Sequence, residues 1–220
     1  LAGKDPRSSS TCRHAASSTG YVDRYLEDLS GIIGRISRPE IDGVIRVLFS
    51  AWREGRQVFV AGNGGSASTA THFAADLSKS TSVTGRPRFK AVALTDNVPW
   101  VSAITNDLGW QDVYLEQLKN LASDGDVLVA ISVHGGSGRD QAGPWSQNLL
   151  KAARYIKERG GKVVGLAGFD GGALKKIADA SIVVPVNSTP QVEGFHLVLT
   201  HLICAALREM IQGQGVPVGQ

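Results

Sequence analysis

QVFVAGNGGSASTATHFAADL, residues 57–77, is the stretch on which the fold turns. It starts as an apolar, β-branched run from Gln57 to Ala61, passes through Gly62-Asn63-Gly64-Gly65-Ser66, and enters a helix-forming segment from Ala67 to Leu77. Glycines at a strand-to-helix junction let the backbone turn sharply and approach a ligand, and the open amides of the helix start attract an anion. A phosphate is the natural occupant. A plain turn is the alternative, but it needs one glycine, and three with Asn63 and Ser66 favour ligand binding. The stretch is neither a P-loop nor a dinucleotide fingerprint, because it lacks GxxxxGK[ST] and GxGxxG.

Working outward, four more short apolar runs alternate with helical patterns: Lys90 to Leu94, Asp126 to Val133, Lys162 to Leu166 and Ser181 to Val186. None alternates cleanly, as expected of strands covered on both faces. The order predicts an α/β fold, a three-layer α-β-α sandwich around a five-stranded parallel sheet, with ligands beyond the carboxyl ends of the strands. Before the first strand, Val22 to Ile36 and Glu40 to Arg53 carry apolar residues at helical spacing, with Pro39 between them and Gly55 as a helix stop. Residues 1–20, rich in Ser, Ala and basic side chains, read as a flexible tail or cloning remnant, with a transit peptide as the alternative. The domain is expected over 21–220. Gly135 to Pro144 is the one irregular insertion.

A chain of 220 residues, 42% hydrophobic and 20% charged, has the composition of one globular domain. The net charge of +3 is scattered, so a nucleic-acid partner is not expected. No uninterrupted apolar stretch approaches membrane-spanning length, so a cytoplasmic protein without a membrane partner is expected. Cys12 and Cys204 lie far apart, outside any CxxC, and read as free thiols of a reducing compartment.

The third strand run ends in a second small loop, Ile131-Ser132-Val133-His134-Gly135-Gly136-Ser137-Gly138. Two Gly/Ser loops at different strand ends can wrap a phosphate with backbone amides and the hydroxyls of Ser66, Ser132 and Ser137. Taken alone, the second loop reads almost as well as a solvated turn.

Gly62-Asn63-Gly64-Gly65-Ser66 followed by His72-Phe73-Ala74-Ala75-Asp76-Leu77 resembles the GNGGS…HFAxEL run of the flavodoxin-like sugar-isomerase (SIS) domain family, and within it the phosphoheptose isomerases. Asn106-Asp107 and Lys162 to Ala180 with Gly171-Gly172 also look familial, and the likeness spans about Val22 to Ile211. The resemblance implies isomerisation of sedoheptulose 7-phosphate to a manno-heptose 7-phosphate in a homotetramer with shared active sites and often a zinc ion. It implies a metal and catalytic set at His72, Asp76, Glu193 and His201, where the family has His, Glu, Gln and His. It also places Asp96 near the sugar, with Asn63, Gly64, Gly65, Ser66, Ser132, His134, Ser137 and Glu193 toward the substrate. The family's STSGNS reads here as Ser132 to Ser137, with His134 in place of a serine. That ring can strengthen a phosphate contact when protonated or narrow the pocket for another sugar.

His72 and Asp76, four apart, project from one helix face, where a surface pair is the ordinary alternative to a site. Their place after the glycine loop argues for the site. Glu193 and His201, eight apart, roughly share a face of the last helix, and His196 points elsewhere as a structural histidine. Two imidazoles and two carboxylates suit zinc or another divalent ion. The extra charge of Glu193 is expected to strengthen that binding or to signal another substrate. For aldose–ketose isomerisation, Asp76 is expected as base and His201 as acid. Asp76 stands back by about 1 Å relative to a glutamate. The competing reading is a non-catalytic SIS module that binds a sugar phosphate or a protein partner. A lyase for phosphorylated amino sugars is a third, with no acid–base set located. The apolar faces of the first two helices and the last one are expected either to meet a second copy or to cover the sheet.

Overall fold

The computed structural model describes residues 18–136 and 145–214. Tail residues 1–17, Cys12 among them, and Ser137 with the rest of 137–144 lie outside the described residues. Five strands form one parallel sheet: β1 (Gln57–Gly62), β2 (Lys90–Ala93), β3 (Val127–Ile131), β4 (Lys162–Gly168) and β5 (Ala180–Val184), in the order β2-β1-β3-β4-β5. This order reverses direction between β1 and β3, the topological switch point where such sheets open a crevice.

Strand positions follow from the apolar runs. β1, β3 and β4 are buried along nearly their whole length, as expected of strands covered on both faces. β2 and β5 occupy the edges and keep partly exposed positions, which their sequences alone did not distinguish.

Eight α-helices are described. α2 (Arg38–Arg53) starts two residues before the sequence-based boundary, because Pro39 fits the first helical turn and the Ser37 hydroxyl caps the Glu40 amide at 3.4 Å. α3 (Gly65–Lys79), α4 (Val98–Asp107), α5 (Val113–Leu121), α6 (Gln147–Glu158), α7 (Gly172–Ile177) and α8 (Thr189–Gly213) follow in turn. α2, α3 and α8 pack on one side of the sheet, and α5, α6 and α7 on the other. Phe59, Leu128, Tyr114, Leu118, Leu149 and Ile156 fill the second interface.

The first helix, α1 (Ser18–Arg35), falls in a separate compact unit that ends at Gly34. It begins inside the segment read as tail and carries exposed Tyr21, Val22, Leu26 and Ile33. α8 is long and apolar enough, by length and composition alone, to cross a membrane, although His196, Thr200 and His201 interrupt its apolar run. Its apolar residues Val192, Phe195, Leu199, Ile203 and Leu207 are buried against the sheet layer, so it is a core helix.

Candidate active site

At the switch point a cavity of about 390 Å³ opens, bordered by Asn63, Gly64 and Ser66 after β1 and by Ser132, Val133 and His134 after β3. Ser146 and Thr189, at the starts of α6 and α8, and Trp145 and Glu193 complete the wall. Three helices, α3, α6 and α8, thus begin at one cavity. Each directs the positive end of its dipole toward that space. No Lys or Arg borders it among the described residues.

The chain turns into α3 at Gly64, whose φ of 57° and ψ of −125° are closed to ordinary L-residues. Gly65 follows because Glu193 approaches it: a Cβ there would lie 2.5 Å from the Glu193 Oε1. The Asn63 side chain is braced rather than free. It exchanges amide hydrogen bonds with buried Asn148 at 2.8 and 3.0 Å, and its Oδ1 accepts a third from the Tyr114 hydroxyl at 3.3 Å. Tyr114 also donates to the Gly62 carbonyl, and burial pushes its phenol up to about 12. The Ser132 and Ser146 hydroxyls, neighbours on the cavity wall, are hydrogen-bonded to each other at 3.3 Å.

The second loop is fastened by backbone. The Leu174 amide donates to the Gly135 carbonyl at 2.8 Å, and Gly135 and Gly172 pack on the main chain of each other's loops. His134, held there, lies against Phe169 with ring centres 4.2 Å apart and meets Trp145 edge-to-face at 5.4 Å.

On the outer face of α3, His72, Asp76 and His201 converge. The two Nε2 atoms are 2.9 Å apart, and the Asp76 Oδ2 lies 3.2 Å from His72 Nε2 and 3.5 Å from His201 Nε2. The shorter carboxylate therefore still reaches both rings. Ser80 anchors its other oxygen at 2.9 Å. The side chains of His72 and His201 are 46% and 54% exposed, so the trio is open to solvent. Behind it Cys204 is buried as a free thiol, pushed up to about 12 by burial and then by the Asp76 charge.

Ligand atoms held on a metal at about 2.0–2.1 Å in a tetrahedron stand about 3.3 Å from one another. The three separations of 2.9, 3.2 and 3.5 Å bracket that edge. Glu193, expected as a fourth ligand, is not part of the cluster. Eight residues of helix advance it about 12 Å along α8 from His201, and it stands at the cavity instead. Asp96 also lies outside the cavity lining. It accepts from Thr71, the neighbour of His72, at 2.6 Å and so ties the end of β2 to α3.

His196 is buried, with its Nε2 3.1 Å from the Ala167 carbonyl oxygen and its Nδ1 without a partner. Burial depresses it to about 4 despite that hydrogen bond. It is structural, as expected, but only half satisfied. Trp145, Ser146 and Thr189, which line the cavity, and Asn148, which braces Asn63 behind it, are the residues that sequence reasoning missed. The signal for the first two was their place at the end of the irregular insertion.

A doubly wound α/β sheet with an anion cradle at its switch point and a histidine–carboxylate cluster on the next helix defines a class of sugar-phosphate-binding proteins. Residues 21–168 match the SIS domain, and the chain belongs to that family. It is 41% identical over 197 residues to the lincomycin biosynthesis protein LmbN of Streptomyces lincolnensis, covering 88% of this chain and 70% of that protein. It is 34% identical over 177 residues to a phosphoheptose isomerase of Sulfurimonas denitrificans, covering 80% of this chain and 86% of that one. The structure of phosphoheptose isomerase GmhA from Neisseria gonorrhoeae matches with a TM-score of 0.77 at 27% identity, over 88% of this chain and all of that one.

Proposed function

We propose that the protein is a phosphosugar aldose–ketose isomerase that converts sedoheptulose 7-phosphate to D-glycero-D-manno-heptose 7-phosphate. The observation that carries this reading is the spacing of two sites along shared helices. The anion cradle surrounds the start of α3, and His72 lies seven residues further on, a rise of about 10 Å. An extended seven-carbon chain with a terminal phosphate reaches about 10 Å at C–C bonds near 1.5 Å. A phosphate held by the three helix starts thus puts C1 and C2 near the trio. The similarity to phosphoheptose isomerases over most of both chains supports the same substrate.

In this mechanism Asp76 takes a proton from C1 of the ketose while His201 donates one to the oxygen on C2, giving the enediol. Asp76 then returns its proton to C2 and His201 recovers one from the oxygen on C1, which leaves the aldose with atoms and electrons balanced. Ser80 holds the Asp76 carboxylate in place, and His72 keeps the His201 ring against it. His72, Asp76 and His201 would hold a zinc or similar divalent ion, which supplies polarisation of the substrate carbonyl when bound. A cytoplasmic homotetramer is part of the same reading. Val198 and Leu202, exposed on α8 beside His201, are suited to burial against a second copy.

The test is incubation of metal-analysed protein with sedoheptulose 7-phosphate, followed by NMR of the aldose. Asp76→Asn and His201→Ala are each expected to lower kcat by about 10²- to 10⁴-fold. Turnover unchanged in either variant overturns that residue's role, and no turnover by the unaltered protein overturns the isomerase reading.

A further inference from the structure

The cavity is two-sided. One side is made of helix starts and hydroxyls, and the other carries the rings of His134 and Trp145, with Phe169 packed on His134 from a third strand end. His134 follows β3, Phe169 follows β4, and Trp145 precedes α6. Phe169 and Ser146 both adopt left-handed backbone, with φ of 53° and 52°, conformations that L-residues keep only when their surroundings impose them. Ser146 is the N-cap of α6, so its turn fixes where Trp145 leaves the helix. The His134 ring lies between the other two, at 4.2 Å from Phe169 and 5.4 Å from Trp145. Trp145 is nonetheless 47% exposed while bordering the cavity.

A phosphate has no use for such a wall, since its charge is met by amides and hydroxyls on the opposite side. A flat ring face offers contact to apolar C–H surface with little loss of side-chain freedom, because the indole has only two torsions to fix. The carbon chain of a polyhydroxylated phosphoester supplies that surface. We infer that Trp145 is a specificity-determining residue that packs on the carbon chain of the bound sugar phosphate while the phosphate sits on the helix starts. This inference rests on the phosphosugar reading above. It separates two affinities that a merely structural tryptophan would move together.

The experiment measures binding of sedoheptulose 7-phosphate and of inorganic phosphate to the full chain and to Trp145→Ala and Trp145→Phe by calorimetry, with intrinsic fluorescence alongside. Trp145→Ala is expected to weaken the sugar phosphate about tenfold and to leave inorganic phosphate within about twofold. Trp145→Phe should restore most of the sugar-phosphate affinity. The unaltered protein should show a fluorescence change with the sugar phosphate that disappears in Trp145→Phe, although Trp52, Trp100 and Trp110 remain. Equal weakening of both ligands, unchanged sugar-phosphate affinity in Trp145→Ala, or a fluorescence change that survives in Trp145→Phe overturns the inference. Trp145-dependent binding without turnover overturns only the isomerase reading. Absence of sugar-phosphate binding by the unaltered protein overturns both.

Discussion

Replacing Gly135 by alanine should damage the cavity through its backbone. The residue has a φ of 63°, and a Cβ built on it falls on the Gly171 carbonyl and 3.0 Å from the Gly172 nitrogen. Those atoms are main chain, so no side chain can swing aside. Left-handed backbone costs an L-residue about 1–2 kcal/mol. Relieving the overlap by shifting two loops costs about 1–3 kcal/mol more. The sum is about 2–5 kcal/mol, and the shift also weakens the bond from the Leu174 amide to the Gly135 carbonyl. Gly160 supplies the control, because its φ of 70° carries the same conformational penalty while a Cβ there meets nothing within 4 Å. Gly160→Ala should therefore cost only about 1–2 kcal/mol. Urea denaturation of both variants, with m-values checked for constancy, isolates the loop-to-loop contact as their difference. Sugar-phosphate affinity should fall in Gly135→Ala alone, since His134 rides on that loop. Equal stability losses in the two variants would refute the interlock as the device that holds the cavity's second wall.

Glu193→Gln should leave zinc affinity unchanged and tighten inorganic phosphate about tenfold, because the carboxylate stands at the anion cradle rather than at the trio; isothermal titration with each ion distinguishes this from a metal-ligand role. His72→Ala should remove stoichiometric zinc, read by metal analysis after dialysis, and unchanged zinc content would exclude His72 as a ligand. His196 has a folded pKa of about 4 against an ordinary 6.5, so below about pH 6.5 the unfolded chain takes up a proton that the folded one refuses. Stability from this group is full at neutral pH and should fall by about 1.4 kcal/mol per unit between about pH 6 and 4, a slope that His196→Gln should remove in denaturation series. Asn148→Ala should cost about 1–3 kcal/mol in thermal or urea unfolding by leaving the Asn63 amide without its buried partner, whereas a loss below about 0.5 kcal/mol would argue that water replaces it.

The layer order, the strands and the first loop were legible because each is a local property. Buried parallel strands leave continuous apolar runs, and a strand that turns directly into a helix at a ligand leaves glycines. The trio was only half legible. The four-residue step from His72 to Asp76 puts both on one helix face by geometry alone, but bringing His201 to 2.9 Å from His72 requires α3 and α8 to pack side by side across 129 residues of chain. Glu193 shows where spacing misleads. Eight residues return a side chain only roughly to the same helix face, and the two-turn rise carries it away from His201 to the cavity. In the proposed reading, the charge of Glu193 belongs to the phosphate end of the site and not to the metal. Trp145 and Asn148 lay beyond sequence reasoning for another reason. An insertion between β3 and α6 has no periodicity to read, and an asparagine on a helix's first turn looks like a surface residue until the strand end that it braces comes within 3 Å. The parts of the cavity that sequence alone could not supply are therefore those built between loops.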